Sequence, residues 1–66
     1  MIEDPDIFRA AKFMIDRHGD DALIRAARRS DELQDAGHVQ GAMLWRQILK
    51  AVDELTRARR DDEPVN

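Results

Sequence analysis

The sequence predicts an all-α fold, a small three-helix up-down-up bundle, and three observations support that prediction. Apolar residues recur at spacings of three and four along most of the chain, which is the pattern of amphipathic helices. Only two of the 66 residues are proline and three are glycine, so long stretches contain no helix breaker. Tyrosine is absent and β-branched residues are sparse, which disfavours a β-rich fold.

The first predicted helix begins at Asp4-Pro5-Asp6 and ends near His18. Asp4 can cap the helix, Pro5 suits its first position, and Asp6 suits the positive end of the helix dipole. Its apolar stripe comprises Ile7, Phe8, Ala11, Met14, Ile15 and His18. Phe13 falls outside this stripe.

The second predicted helix spans residues 21 to about 36. Gly19 can adopt the left-handed conformation that ends the first helix, and Asp20 can cap the second. The stripe of the second helix comprises Ala22, Leu23, Ala26, Ser30 and Leu33. Because these residues are mostly small, they allow two helix axes to approach closely. Ile24 falls outside the stripe.

The third predicted helix spans residues 39 to about 59 and follows a stop at Gly37. His38 stands at the cap position, where Asp or Ser would cap better. The broad apolar face comprises Ala42, Leu44, Trp45, Ile48, Leu49, Val52 and Leu55. A face this broad predicts contact with both other helices and places Trp45 at the centre of the core. Met43 falls outside the face.

We expect one domain over residues 4–60, because a chain of 66 residues is too short for two. Residues 61–66 are polar and include a proline, which predicts a disordered acidic tail. The predicted core comprises Phe8, Ala11, Ile15, Leu23, Ala26, Leu33, Trp45, Ile48, Leu49, Val52 and Leu55.

Three segments together carry a family resemblance: residues 10–22, residues 28–33, and residues 41–48 with Ala51 and Leu55 after them. Through these segments the chain resembles a family of short uncharacterised proteins, a domain of unknown function found mainly in alpha-proteobacteria. The resemblance implies no activity and no catalytic residues. His38 departs from the acidic residue that members often have at this position.

Charge and composition restrict the class of protein. The net charge of −3 disfavours a general nucleic-acid binder, which usually has a basic excess. No apolar run approaches the roughly 20 residues that cross a bilayer. The acidic first residues contain no apolar signal core, and cysteine is absent. We therefore expect a cytoplasmic protein without a membrane partner.

Catalysis and metal binding have little support in the sequence. His18 and His38 are the only histidines, whereas metal sites usually need three or four converging ligands. No phosphate-binding glycine loop or nucleophile elbow is present. We therefore predict no metal, no cofactor and no enzymatic activity.

The three apolar residues outside the helix stripes suggest a function. If Phe13, Ile24 and Met43 lie at the surface and cluster, they form a protein-interaction surface; alternatively, the packing angles of the helices bury them. We predict a non-enzymatic helical interaction module with an accessory or regulatory role. Its partner would be another protein or, in a homodimer, a second copy.

An alternative function is a small nucleic-acid-associated regulator. Arg25, Arg28 and Arg29 lie on one side of the second helix and could contact phosphates. The acidic residues Asp31 and Glu32 lie close after these arginines in the sequence, which disfavours that interpretation.

Overall fold

The computed structural model describes residues 4–62 of the chain. Helix α1 spans Pro5–His18, a 3-10 turn spans Gly19–Asp21, α2 spans Ala22–Asp35 and α3 spans Val39–Asp62. These residues contain no β-strand, so the predicted all-α class is confirmed. None of the helices described combines the length and the apolar character needed to cross a bilayer.

The boundary between the first two helices differs from the prediction of three separate helices. Every residue from 5 to 35 is helical, because the 3-10 turn joins α1 to α2 directly. The described chain therefore has two uninterrupted helical runs, separated at residues 36–38. The all-α class holds, but the structure has two continuous helical runs where the sequence predicted three separate helices.

The ends of α1 follow the sequence signals closely. The backbone N–H of Asp6 donates to Oδ1 of Asp4 at 2.9 Å, and Pro5 occupies the first turn. At the other end, Gly19 has a φ of 55°, and its N–H donates to the carbonyl of Ile15. The predicted cap at Asp20 is not formed, because Asp20 lies inside the 3-10 turn and no side chain caps α2.

Helix α2 ends in a Schellman motif centred on Gly37. The N–H of His38 donates to the carbonyl of Leu33 at 2.8 Å, and the N–H of Gly37 donates to that of Gln34 at 3.1 Å. Gly37 has a φ of 81°, which glycine adopts without the steric cost of a Cβ. The carbonyl of His38 then accepts from Ala42 at 2.9 Å, so α3 begins directly after the motif.

Gly37→Ala should destabilise the protein through backbone strain alone. A Cβ at position 37 meets no atom within 4 Å, but the left-handed conformation costs about 1–2 kcal/mol for a residue with a Cβ. We expect the free energy of unfolding, measured by urea denaturation, to fall by about that amount.

Gly41→Ala is the matched control for this change. Gly41 lies inside α3, where alanine is favoured over glycine by up to about 1 kcal/mol. Its added Cβ would lie 3.4 Å from Cδ1 of Leu33, a flexible side chain that can adjust. Equal destabilisation by both variants would contradict the assignment of strain to Gly37.

Helix α3 extends further than predicted and reaches Asp62, two residues into the region expected to be a tail. No proline or glycine occurs between Gly41 and Pro64, so nothing in this stretch interrupts helical hydrogen bonding. The remaining part of the predicted tail, residues 63–66, lies outside the described residues.

The core forms where α3 packs against both α1 and α2, and small residues dominate it. Among the described residues, the buried apolar side chains are Ile7, Ala11, Met14, Ala22, Ala26, Ala42, Ile48, Ala51 and Val52. Ser30 is buried with them, and its hydroxyl donates to the carbonyl of Ala42 at 3.2 Å. This bond satisfies Ser30, the one buried polar side chain among the described residues, since an unpaired hydroxyl there would be costly.

The predicted core is correct in part. Ala11, Ala26, Ile48 and Val52 are buried. The half-buried members are Phe8, Ile15, Leu33, Trp45, Leu49 and Leu55. Leu23 is 40% exposed and is not a core residue, and the placement of Trp45 at the centre is also wrong.

A close approach of the helices explains these differences. Where two helices meet through alanine and serine, their axes come near, and small residues occupy the innermost positions. Larger side chains then lie at the flanks of the contact, where water reaches them. The same geometry accounts for burial at Ala22, Ala42 and Ala51, which the predicted core omitted.

Candidate protein-interaction surface

Several large apolar side chains lie at the surface of the described chain. The predicted interaction residues are all exposed: Phe13 is 57% exposed, Ile24 is 59% and Met43 is 53%. Scattered apolar residues are common on protein surfaces. The arrangement of their neighbours therefore determines which of them could bind a partner.

Ile24 lies in an apolar groove between α2 and α3, and we call this feature the α2–α3 groove. It is open to solvent, has a volume of about 460 Å³, and is lined by Leu23, Ile24, Ala27, Leu49, Lys50 and Asp53. Four of these six residues are apolar, so the groove offers a continuous apolar surface with charge on only one wall.

The local sequence explains how the groove forms. Ala27 lies four residues after Leu23 and three after Ile24 on α2, so it shares one side of that helix with both. Leu49 and Asp53 are related in the same way on α3. Ala26 and Ser30 are small and buried, so they allow α2 and α3 to approach closely. The longer side chains beside them therefore form the walls of a groove and not a closed core.

The charged residues of the groove belong to α3. Lys50 is exposed and Asp53 is half-buried, and they lie one helical turn apart. A carboxylate oxygen of Asp53 lies 3.2 Å from the Arg57 guanidinium. Both partners of that pair are substantially exposed, so solvent screening leaves it little influence on stability.

Phe13 and Met43 do not line the groove. The Arg17 guanidinium lies 5.3 Å from the centre of the Phe13 ring, in a cation–π contact on the surface of α1. Met43 is exposed on α3. The groove thus includes one of the three predicted residues, together with Leu23 and Leu49, which were assigned to the core.

A second, more polar cleft adjoins the groove. It lies between α1, the 3-10 turn and α3 and has a volume of about 720 Å³. Its walls carry charges of both signs, including Lys12, Asp16 and Arg57, and it shares Leu23 and Asp53 with the groove.

Within residues 4–62, no three histidine, aspartate or glutamate side chains gather as metal ligands would.

The predicted nucleic-acid surface is exposed but carries charges of both signs. Arg25, Arg28 and Arg29 are all accessible. Arg29 lies 3.3 Å from a carboxylate oxygen of Glu32, and that acidic neighbour offsets its charge. On the adjoining side, Arg46 donates to Oε1 of Gln34 at 2.9 Å. This arrangement adds no support to a phosphate-binding surface.

No protein-family model, curated protein or solved structure matches the chain.

Proposed function

We propose that this protein is a non-enzymatic helical module that binds another protein through the α2–α3 groove. The observation that carries the proposal is the exposure of Ile24, at 59%, beside three other apolar residues in one open groove. Grooves of this kind accept an amphipathic helix, whose apolar face supplies the contacts.

Burial of the groove would supply a useful share of the binding energy. Complete burial of an isoleucine or leucine side chain contributes about 1.5–3 kcal/mol. Since Leu23 and Ile24 are each partly exposed, covering them would contribute about 1–2 kcal/mol apiece. Ala27 and Leu49 add further apolar area, whereas the single charged wall disfavours non-specific contacts.

The proposed arrangement of the molecule suits this role. We infer an up-down-up packing of α1, α2 and α3, with α3 against both other helices, which would hold the groove walls at a fixed separation. We infer an accessory or regulatory role in the cytoplasm, exercised through the groove. Phe13 and Met43 lie outside the groove and are not part of the proposed contact.

Photocrosslinking in the cells that produce the protein tests this function. A photoreactive benzoyl-phenylalanine in place of Ile24 should form covalent adducts with a bound protein on irradiation. Phe13 and Met43 are the matched control positions, because their exposure is close to that of Ile24. The expected result is a discrete adduct from position 24 that is several-fold stronger than any adduct from the two controls.

Equal or absent adducts at all three positions would overturn the proposed function. An adduct from the control positions alone would place the contact on a different surface and would overturn the groove as the binding site. The full chain is used throughout, and circular dichroism verifies that each variant remains helical.

A further inference from the structure

We propose that the occupant of the α2–α3 groove is a second copy of this chain, joined to the first by a two-fold axis. This inference rests on the proposed function, because it names the partner of the same groove. In such a pair, α2 faces its copy and α3 faces its copy, each in antiparallel orientation. An isologous contact of this kind requires a surface that is complementary to itself.

The charges of the groove are complementary to themselves. Lys50 and Asp53 lie one turn apart on the same wall. An antiparallel copy of α3 reverses their order, so Lys50 of each copy faces Asp53 of the other. The two-fold axis thereby forms two opposite-charge pairs at once. A partner surface with charge of only one sign would be attracted by one of these residues and repelled by the other.

The apolar wall has the same self-complementarity. Ile24 protrudes from α2 with 59% of its surface exposed, and the small Ala27 lies one turn further along the same wall. The antiparallel arrangement places Ile24 of each copy over Ala27 of the other, as a large residue over a small one. Both residue pairs have a spacing of three, so in each wall the proposed axis would pass midway between the two residues.

The composition of the core favours this occupant. Five of the nine buried apolar residues in the described chain are alanines, which bury little area each. A 66-residue chain without cysteine has no disulfide to compensate for a small core, and association is a common alternative. A second copy is the partner that is always available to every molecule of the protein.

Charge-swapped variants test the reciprocal pairing. Lys50→Glu alone sets two carboxylates against each other at each contact, and Asp53→Lys alone sets two ammonium groups against each other. Each single variant should weaken self-association at least about tenfold through these two repulsive contacts. An equimolar mixture of the two variants restores an attractive pair at both contacts, so the dissociation constant should return to within a few-fold of the wild type.

Sedimentation equilibrium of the full chain measures these states. The wild type should sediment at twice the monomer mass of 7.6 kDa, each single variant near the monomer mass, and the mixture again near the dimer mass. Met43→Asp, outside the groove, should stay dimeric. Circular dichroism identifies any variant that loses helix, and the wild-type mass decides the question even if a variant unfolds.

Two outcomes would overturn the proposal: a monomeric wild type at millimolar concentration, or a mixture that stays monomeric while both single variants remain folded. The photocrosslinking experiment separates this failure from failure of the proposed function. A monomeric wild type whose position 24 still forms adducts with a different protein would overturn the second copy alone. Absence of any adduct would overturn both.

Discussion

Ile48→Ala is expected to lower the free energy of unfolding by about 2–5 kcal/mol, the range for removing a buried isoleucine side chain. Ile48 is 4% exposed and lies in the core with Ile7, Met14 and Val52. These four are the large buried residues of the described core, in which alanines hold the other positions. Neighbours so small cannot move in to fill the space, so the cavity should persist.

A loss near the upper end of this range would leave the protein largely unfolded at room temperature, because small domains without disulfides rarely exceed about 3–5 kcal/mol of stability. Urea denaturation followed by circular dichroism and Trp45 fluorescence measures the effect. Met43→Ala is the matched control on the same helix, because Met43 is exposed, and its effect should stay within about 0.5 kcal/mol. Equal effects from the two variants would contradict the assigned core.

Ala26→Leu is expected to destabilise the protein by about 1–3 kcal/mol, for the opposite reason. Ala26 is fully buried between α2 and α3, where close approach depends on small side chains. Three additional carbons would push the helices apart and strain the hydrogen bond from Ser30 to Ala42, which is 3.2 Å long. The loss should occur even though leucine is more hydrophobic than alanine.

Ala58→Leu provides the comparison for this substitution. Ala58 lies on the exposed side of α3, so the same change adds no atoms to the core and should leave the unfolding free energy within about 0.5 kcal/mol of the wild type. Thermal unfolding of the two variants, monitored by circular dichroism, makes the comparison. An Ala26→Leu protein as stable as the wild type would show that α2 and α3 are not closely packed at this position.

The helical elements were predictable because their signals are local. Asp4 and Pro5 mark the start of α1, and Gly37 marks the end of α2, through bonds to residues only a few positions away. The direct 3-10 connection from α1 to α2 was not predictable in the same way. Asp20 has the side chain of a cap, but the turn keeps the backbone helical through that residue.

The arrangement of the core was harder to predict, because hydrophobicity alone ranks leucine above alanine. Leu23 and Leu49 follow the helical spacing of core residues, yet they line an open groove. The small residues Ala26 and Ser30 contain the relevant signal, since they permit the close approach that leaves larger neighbours at the flanks. Helical spacing identifies the buried side of a helix, but not which residue on that side lies deepest.

The candidate site was predictable in part. Phe13, Ile24 and Met43 stand outside the apolar stripes, a pattern that left exposure and burial open, and all three are exposed. Which of them lines a groove could not be read from the sequence, because it depends on how the helices pack. Of the three, Ile24 lines the groove, together with Leu49 from a second helix, and this apolar lining makes it the candidate for a binding surface.

The most direct test of the proposed binding groove is the photocrosslinking comparison of positions 13, 24 and 43 in one experiment. All three side chains are more than half exposed, so a difference between them reports on their surroundings and not on accessibility. The groove predicts a discrete protein adduct from position 24 that far exceeds those from positions 13 and 43. An adduct of equal strength from all three positions, or none from position 24, would contradict it.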